Sequence, residues 1–154
     1  MHRMRLLWVI SASAVLLCGA LAISPAAQAS LRSKPRATGH HVVVIAKRQL
    51  GIPYVWGGAS RKGFDASGLT MYVYAKLGVT LPHGANGQAK LGRRVRLGHL
   101  RQGDLVFWGS HRYYYHVAIY VGHGRVIDAP HTGAVVSYKK LRGEATARRF
   151  LPKS

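Results

Sequence analysis

The sequence predicts an α+β domain, with helices first and an antiparallel sheet after them. Two observations carry this. Residues 65–78 place Asp65 ahead of an apolar run with helical spacing, whereas from residue 104 onward apolar and polar residues alternate in short β-rich runs. Between two of those runs, Gly122-His123-Gly124 suits a tight hairpin, which makes the neighbouring strands antiparallel. Helices followed by strands, rather than alternating with them, indicate helices packed on an antiparallel sheet.

The 154 residues are enough for one domain with a core, but not for two. Arg3 and Arg5, an apolar run over residues 6–23 and Ala27-Gln28-Ala29 describe a signal peptide over residues 1–29, cleaved before Ser30. Cys18 follows Leu16 and Leu17, where a lipid-attachment cysteine wants a small residue, so neither lipidation nor stable membrane insertion after cleavage is expected. Cleavage also removes the only cysteine, and with it any disulfide, thiolate ligand or thiol nucleophile. Residues 30–41, "SLRSKPRATGHH", read as a flexible basic lead-in to a domain over 42–154.

Within that domain "VVVIAKRQLG" predicts a short helix with Gly51 at its C-cap, although its β-branched run also suits a strand. The next twelve residues read as a loop in which Gly57 and Gly58 permit unusual backbone angles. Asp65 is a good N-cap for a helix to about Gly78 whose apolar face is Leu69, Tyr72, Val73 and Leu77. "NGQAKLG" predicts a weaker helix. Strands are expected at 104–108, 116–122, 125–129 and 134–138, with "ATARRFL" as a last one.

Charge narrows the partners. Taking Arg3 and Arg5 from the 23 Lys and Arg leaves 21 against Asp65, Asp104, Asp128 and Glu144, a balance of +17 with neutral histidines. Such a field attracts polyanions. A secreted protein meets anionic wall polymers rather than nucleic acid. His83, His99, His123 and His131 match no common zinc spacing and are expected to be solvated, so no metal and no cofactor is implied.

Three positions stand together. Ala66 begins the main helix, where a helix N-terminus favours a thiolate, yet it carries only a methyl group. His116 begins one strand and Asp128 ends the next. Pairing through the hairpin brings both to one end of the sheet, where the carboxylate can accept from one imidazole nitrogen and leave the other as a base.

In order, "PYVWGG", "GFDASGL", "LPH", "LRQGDLVFW" and "HVAIYVGHGRVIDAPHTG" resemble the NlpC family of papain-like cysteine peptidases, which cut stem peptides of bacterial peptidoglycan. The resemblance spans about Val42 to Leu151 and implies a papain-like α+β fold, helices on an antiparallel sheet of about five to six strands. Residue by residue, it puts Ala66 at the family's nucleophilic cysteine, His116 at the general base and Asp128 at the orienting residue. Tyr54 matches a tyrosine near the oxyanion position, and Asp65 and Ser67 match residues that shape substrate binding. His83, Gly84 and Ala85 depart from the Arg and Ser or Thr that often follow Leu-Pro, and Gln102 replaces a usual proline; both bear on substrate preference.

The resemblance implies a secreted domain directed at peptidoglycan stem peptides that lacks its nucleophile. Loss of a nucleophile costs on the order of a millionfold in turnover. Ser67 is a poor substitute, because successive helical residues diverge by roughly 100°. Three readings follow: a binder without cleavage, an active endopeptidase whose cysteine was replaced by alanine, and a cationic protein held to anionic wall polymers by charge alone.

Overall fold

The structure, a computed structural model, describes residues 37–151. The proposed signal peptide, Cys18 and most of the lead-in lie outside the described residues. Helix α1 spans Gly39–Lys47, α2 Ala66–Ala75 and α3 Ala85–Ala89. Strands β1 (Ala59–Ser60) and β2 (Gly63–Phe64) form a small hairpin. Strands β3 (Arg93–Val95), β4 (Leu105–Ser110), β5 (Tyr113–Gly122), β6 (Arg125–Asp128), β7 (Ser137–Lys140) and β8 (Thr146–Arg149) form one antiparallel sheet in the order β3-β8-β4-β5-β6-β7. The α+β reading holds, with helices on a six-stranded sheet.

The helices bury their apolar faces on one side of that sheet. Val42, Val43 and Ala46 of α1 and Leu69, Val73 and Tyr74 of α2 pack with Phe107, Val117, Ile119 and Ile127. Burial of each large side chain contributes about 1.5–3 kcal/mol, which outweighs the strand preference of "VVVI" and makes that run helical. Alternate residues Val106, Ala118 and Val126 point the other way, into a smaller cluster that includes Trp108 and Tyr120. The first helix begins inside the stretch read as lead-in, and its C-cap is Arg48 rather than Gly51. Helix α2 closes with Val79 N–H donating to the Tyr74 carbonyl at 3.0 Å, near the expected end.

Strands β5 and β6 meet through a two-residue turn in which His123 (φ 52°) and Gly124 (φ 65°) are both left-handed, as a primed hairpin turn requires. The strand expected at 134–138 lies instead at Ser137–Lys140. Val135 and Val136 are claimed by the loop before β1: Val135 bridges Pro53, and Val136 N–H donates to the Ile52 carbonyl at 2.8 Å. A buried ion pair ties the last strand to the entry of β4. The Arg149 guanidinium donates to both Asp104 oxygens, at 2.7 and 2.6 Å.

Candidate active site

Asp65 fixes the start of α2. Its Oδ1 accepts from Gly68 N–H at 2.6 Å and from Ser67 Oγ at 3.0 Å, which satisfies donors that the first helical turn leaves free. Its Oδ2 accepts from Gly57 N–H at 3.0 Å and lies 2.9 Å from His83 Nε2. His83 is exposed, as expected, and is also a partner of Asp65, because the "LPH" loop folds back over the helix N-terminus. Position 66 follows directly, and its methyl group faces a cleft of about 570 Å³.

Tyr54, Asp65, Ala66, Ser67 and His116 all line this cleft. Five separate segments converge here: the loop before β1, the first turn of α2, the "LPH" loop with the start of α3, the start of β5, and Pro130 after β6. Burial, followed by the Asp65 charge, pushes the Tyr54 phenol up, so it remains a neutral donor at neutral pH. The Ser67 hydroxyl donates to Asp65, and its carbonyl accepts from Gln88 Nε2 at 3.0 Å. With its proton committed to Asp65, Ser67 is held away from nucleophilic duty.

Asp128 is not in the cleft wall. It holds His116 from a separate hollow shared with Trp108 and Lys139. His116 Nε2 and Asp128 Oδ2 are 2.9 Å apart, with the side chains 21 % and 8 % exposed. An N–H at Nε2 donating to that carboxylate leaves the Nδ1 lone pair available, the tautomer a base requires. Trp108, the cross-strand partner of His116, sets its ring 5.5 Å away at 43° and restrains the imidazole. Asp128 Oδ1 is buried and has no protein hydrogen-bond partner.

Gln88, which no sequence pattern marks, organises this end of the domain. Fully buried, it accepts from Thr70 Oγ1 and donates to the carbonyls of Ser67 and Pro82, locking α3 and the "LPH" loop to the first turn of α2. Its partners lie 6 to 21 residues away, so no local pattern reveals them. Among the described residues no group of three or more His, Cys, Asp or Glu side chains is placed to hold a metal.

A family profile described as NlpC/P60 matches residues 51–153. The chain belongs to the NlpC/P60 family. Peptidoglycan endopeptidase RipA of Mycolicibacterium smegmatis is 35% identical over 125 residues, covering 70% of this chain and 25% of the relative. A γ-D-glutamyl-L-lysine dipeptidyl-peptidase of Bacillus cereus is 35% identical over 127 residues, covering 77% and 38%. The chain thus spans between a quarter and two fifths of these relatives. A solved NlpC/P60 protein from Bacillus cereus superposes with a TM-score of 0.72 at 35% identity, over 77% of this chain and 42% of that one. The NlpC/P60 domain of the peptidoglycan hydrolase SagA gives 0.70 at 35% identity, over 74% and 100%. These solved neighbours share the papain-like α+β architecture.

Proposed function

We propose that this NlpC/P60 domain is secreted, binds peptidoglycan stem peptides in the cleft and does not cut them. The observation that carries the reading is the pairing of an intact His116–Asp128 bond with a methyl group at position 66. A peptide carbonyl lying over the α2 N-terminus meets oriented donors and an imidazole, but no atom able to attack it. In this reading His116 is the base position and Asp128 orients it; Tyr54 donates to the bound peptide, and Asp65 and Ser67 shape the floor. The leader over residues 1–29 and the enzyme names of the relatives support a cell-wall or extracellular setting. Among the described residues no helix is long and apolar enough to cross a membrane.

The retained His116–Asp128 bond also favours a second reading, an active endopeptidase in which alanine has replaced the cysteine. The codon at position 66 in the source genome separates the two. Binding is tested with soluble stem peptide and purified peptidoglycan. Wild-type protein should bind both; Tyr54→Ala should weaken binding about tenfold, the equivalent of one hydrogen bond to a polar or charged group, and Asp65→Ala should weaken it by releasing Gly57, His83 and the first turn of α2 that it holds in place. Equal binding by those variants, or binding only to anionic polymers with affinity that collapses in salt, would establish attraction by charge alone.

A further inference from the structure

Trp56, Tyr113 and Tyr115 are 87 %, 63 % and 69 % exposed, and all three line the cleft that contains Ala66. Large rings left in water at one site mark a binding surface. Their placement depends on a backbone irregularity. Strands β4 and β5 pair Trp108 with His116 and then Gly109 with Tyr114, so Tyr115 is the extra residue of a bulge. Gly109 makes the bulge possible: its φ is +140°, and a Cβ there would stand 2.3 Å from the Tyr113 carbonyl oxygen. The bulge turns Tyr114 inward against Phe107, at 6.1 Å between ring centroids, and leaves Tyr113 and Tyr115 at the cleft mouth. Trp56 comes from the loop before β1, whose neighbours Val55 and Gly57 are bonded to Phe64 and Asp65.

We propose that these three rings form a saccharide-stacking rim that holds the N-acetylated amino-sugar strand to which the stem peptide is joined. The inference rests on the peptidoglycan-directed reading of the cleft. A pyranose presents an apolar C–H face and a polar edge, which matches flat rings with polar tips. An ammonium ligand is disfavoured, because Asp65 is the one carboxylate in the lining and is already bonded to Gly57, Ser67, Gly68 and His83, while the chain carries a net charge of +19. Nor does the rim suit an apolar peptide, since the cleft lining contains no Leu, Ile, Val or Met side chain. Asn86 supplies an amide for a sugar hydroxyl or acetamido group.

The test is calorimetric titration of the protein with a free stem tetrapeptide and with the same tetrapeptide on its N-acetylglucosamine–N-acetylmuramic acid disaccharide. The disaccharide form should bind at least about tenfold more tightly, since each stacked ring contributes about two- to tenfold. Trp56→Ala and Tyr115→Ala should each remove such a factor for the disaccharide form and leave the free peptide unchanged. Tyr115→Phe should retain it, because stacking needs the ring and not the hydroxyl. Equal affinity for the two ligands on the unaltered protein overturns the rim and leaves the stem-peptide reading standing. Equal losses for both ligands in the alanine variants overturn the assignment to sugar. Absence of binding by either ligand overturns the rim and the stem-peptide reading together.

Discussion

Asp104 and Asp128 are both buried acids at strand ends, and they are treated differently. Asp104 is 1 % exposed, and both its oxygens are paired: the Arg149 fork reaches each, and Arg101 N–H adds a bond at 2.8 Å. Asp128 makes one bond, to an imidazole, and its other oxygen is buried without a protein partner. Arginine is a permanent cation whose fork reaches both carboxylate oxygens, whereas the imidazole nitrogen reaches one. An acid that only holds the fold together is fully satisfied by a permanent cation. An acid beside the cleft retains an uncompensated atom, a cost in stability that points toward a role in the site.

This contrast can be broken most visibly at Asp104. Asp104→Asn strands the Arg149 guanidinium, whose side chain is 11 % exposed, without its counter-charge. Urea denaturation should show a loss of about 3–5 kcal/mol, the range for removing one partner of a buried pair. Asp128→Asn should cost less, about 1 kcal/mol, because the amide oxygen can still accept from His116 Nε2 and no permanent cation is stranded. Its larger effect should fall on His116, whose ring-nitrogen shifts by NMR should report a changed tautomer balance. Comparable stability losses for the two variants would erase the distinction.

A smaller test concerns Tyr74, whose hydroxyl donates to the Gly103 carbonyl beside Asp104. Burial, and then the Asp104 charge, raise this phenol above its ordinary value of 10.0. A raised folded-state pKa means the stabilisation is complete below the unfolded value and is lost as pH rises above it. Tyr74→Phe should therefore cost about 1 kcal/mol at neutral pH, and that difference should shrink above pH 10. A difference that stays constant across this window would mean that the hydroxyl contributes nothing through its protonation.

How much of this was legible follows from where each signal lies. The Asp65 cap and the hairpin that joins His116 to Asp128 rest on neighbouring residues, and both are found where the sequence puts them. Strand β3 was missed because Arg93-Arg94-Val95 has no apolar alternation; it exists through pairing with β8. The run Val135-Val136 was read as a strand of the main sheet, because nothing local reveals that residues 52 and 53 claim it. Gln88 and the contact of exposed His83 with Asp65 are not legible for the same reason: their partners lie on other segments. The "YYYH" run before His116 was visible, but only the bulge at Gly109 shows which tyrosines face the cleft.

In the proposed site, position 66 lacks only a nucleophile. The direct measurement is fragment release from purified peptidoglycan, followed by mass spectrometry, for the protein and for Ala66→Cys. The protein should release nothing. Ala66→Cys should cleave stem peptides, because the α2 N-terminus favours a thiolate and His116 can take its proton. The gain should be on the order of a millionfold over the alanine form, abolished by a thiol alkylator and by His116→Ala. A folded Ala66→Cys protein that remains inert on several peptidoglycan types, or an alanine form that already cleaves, would contradict the claim.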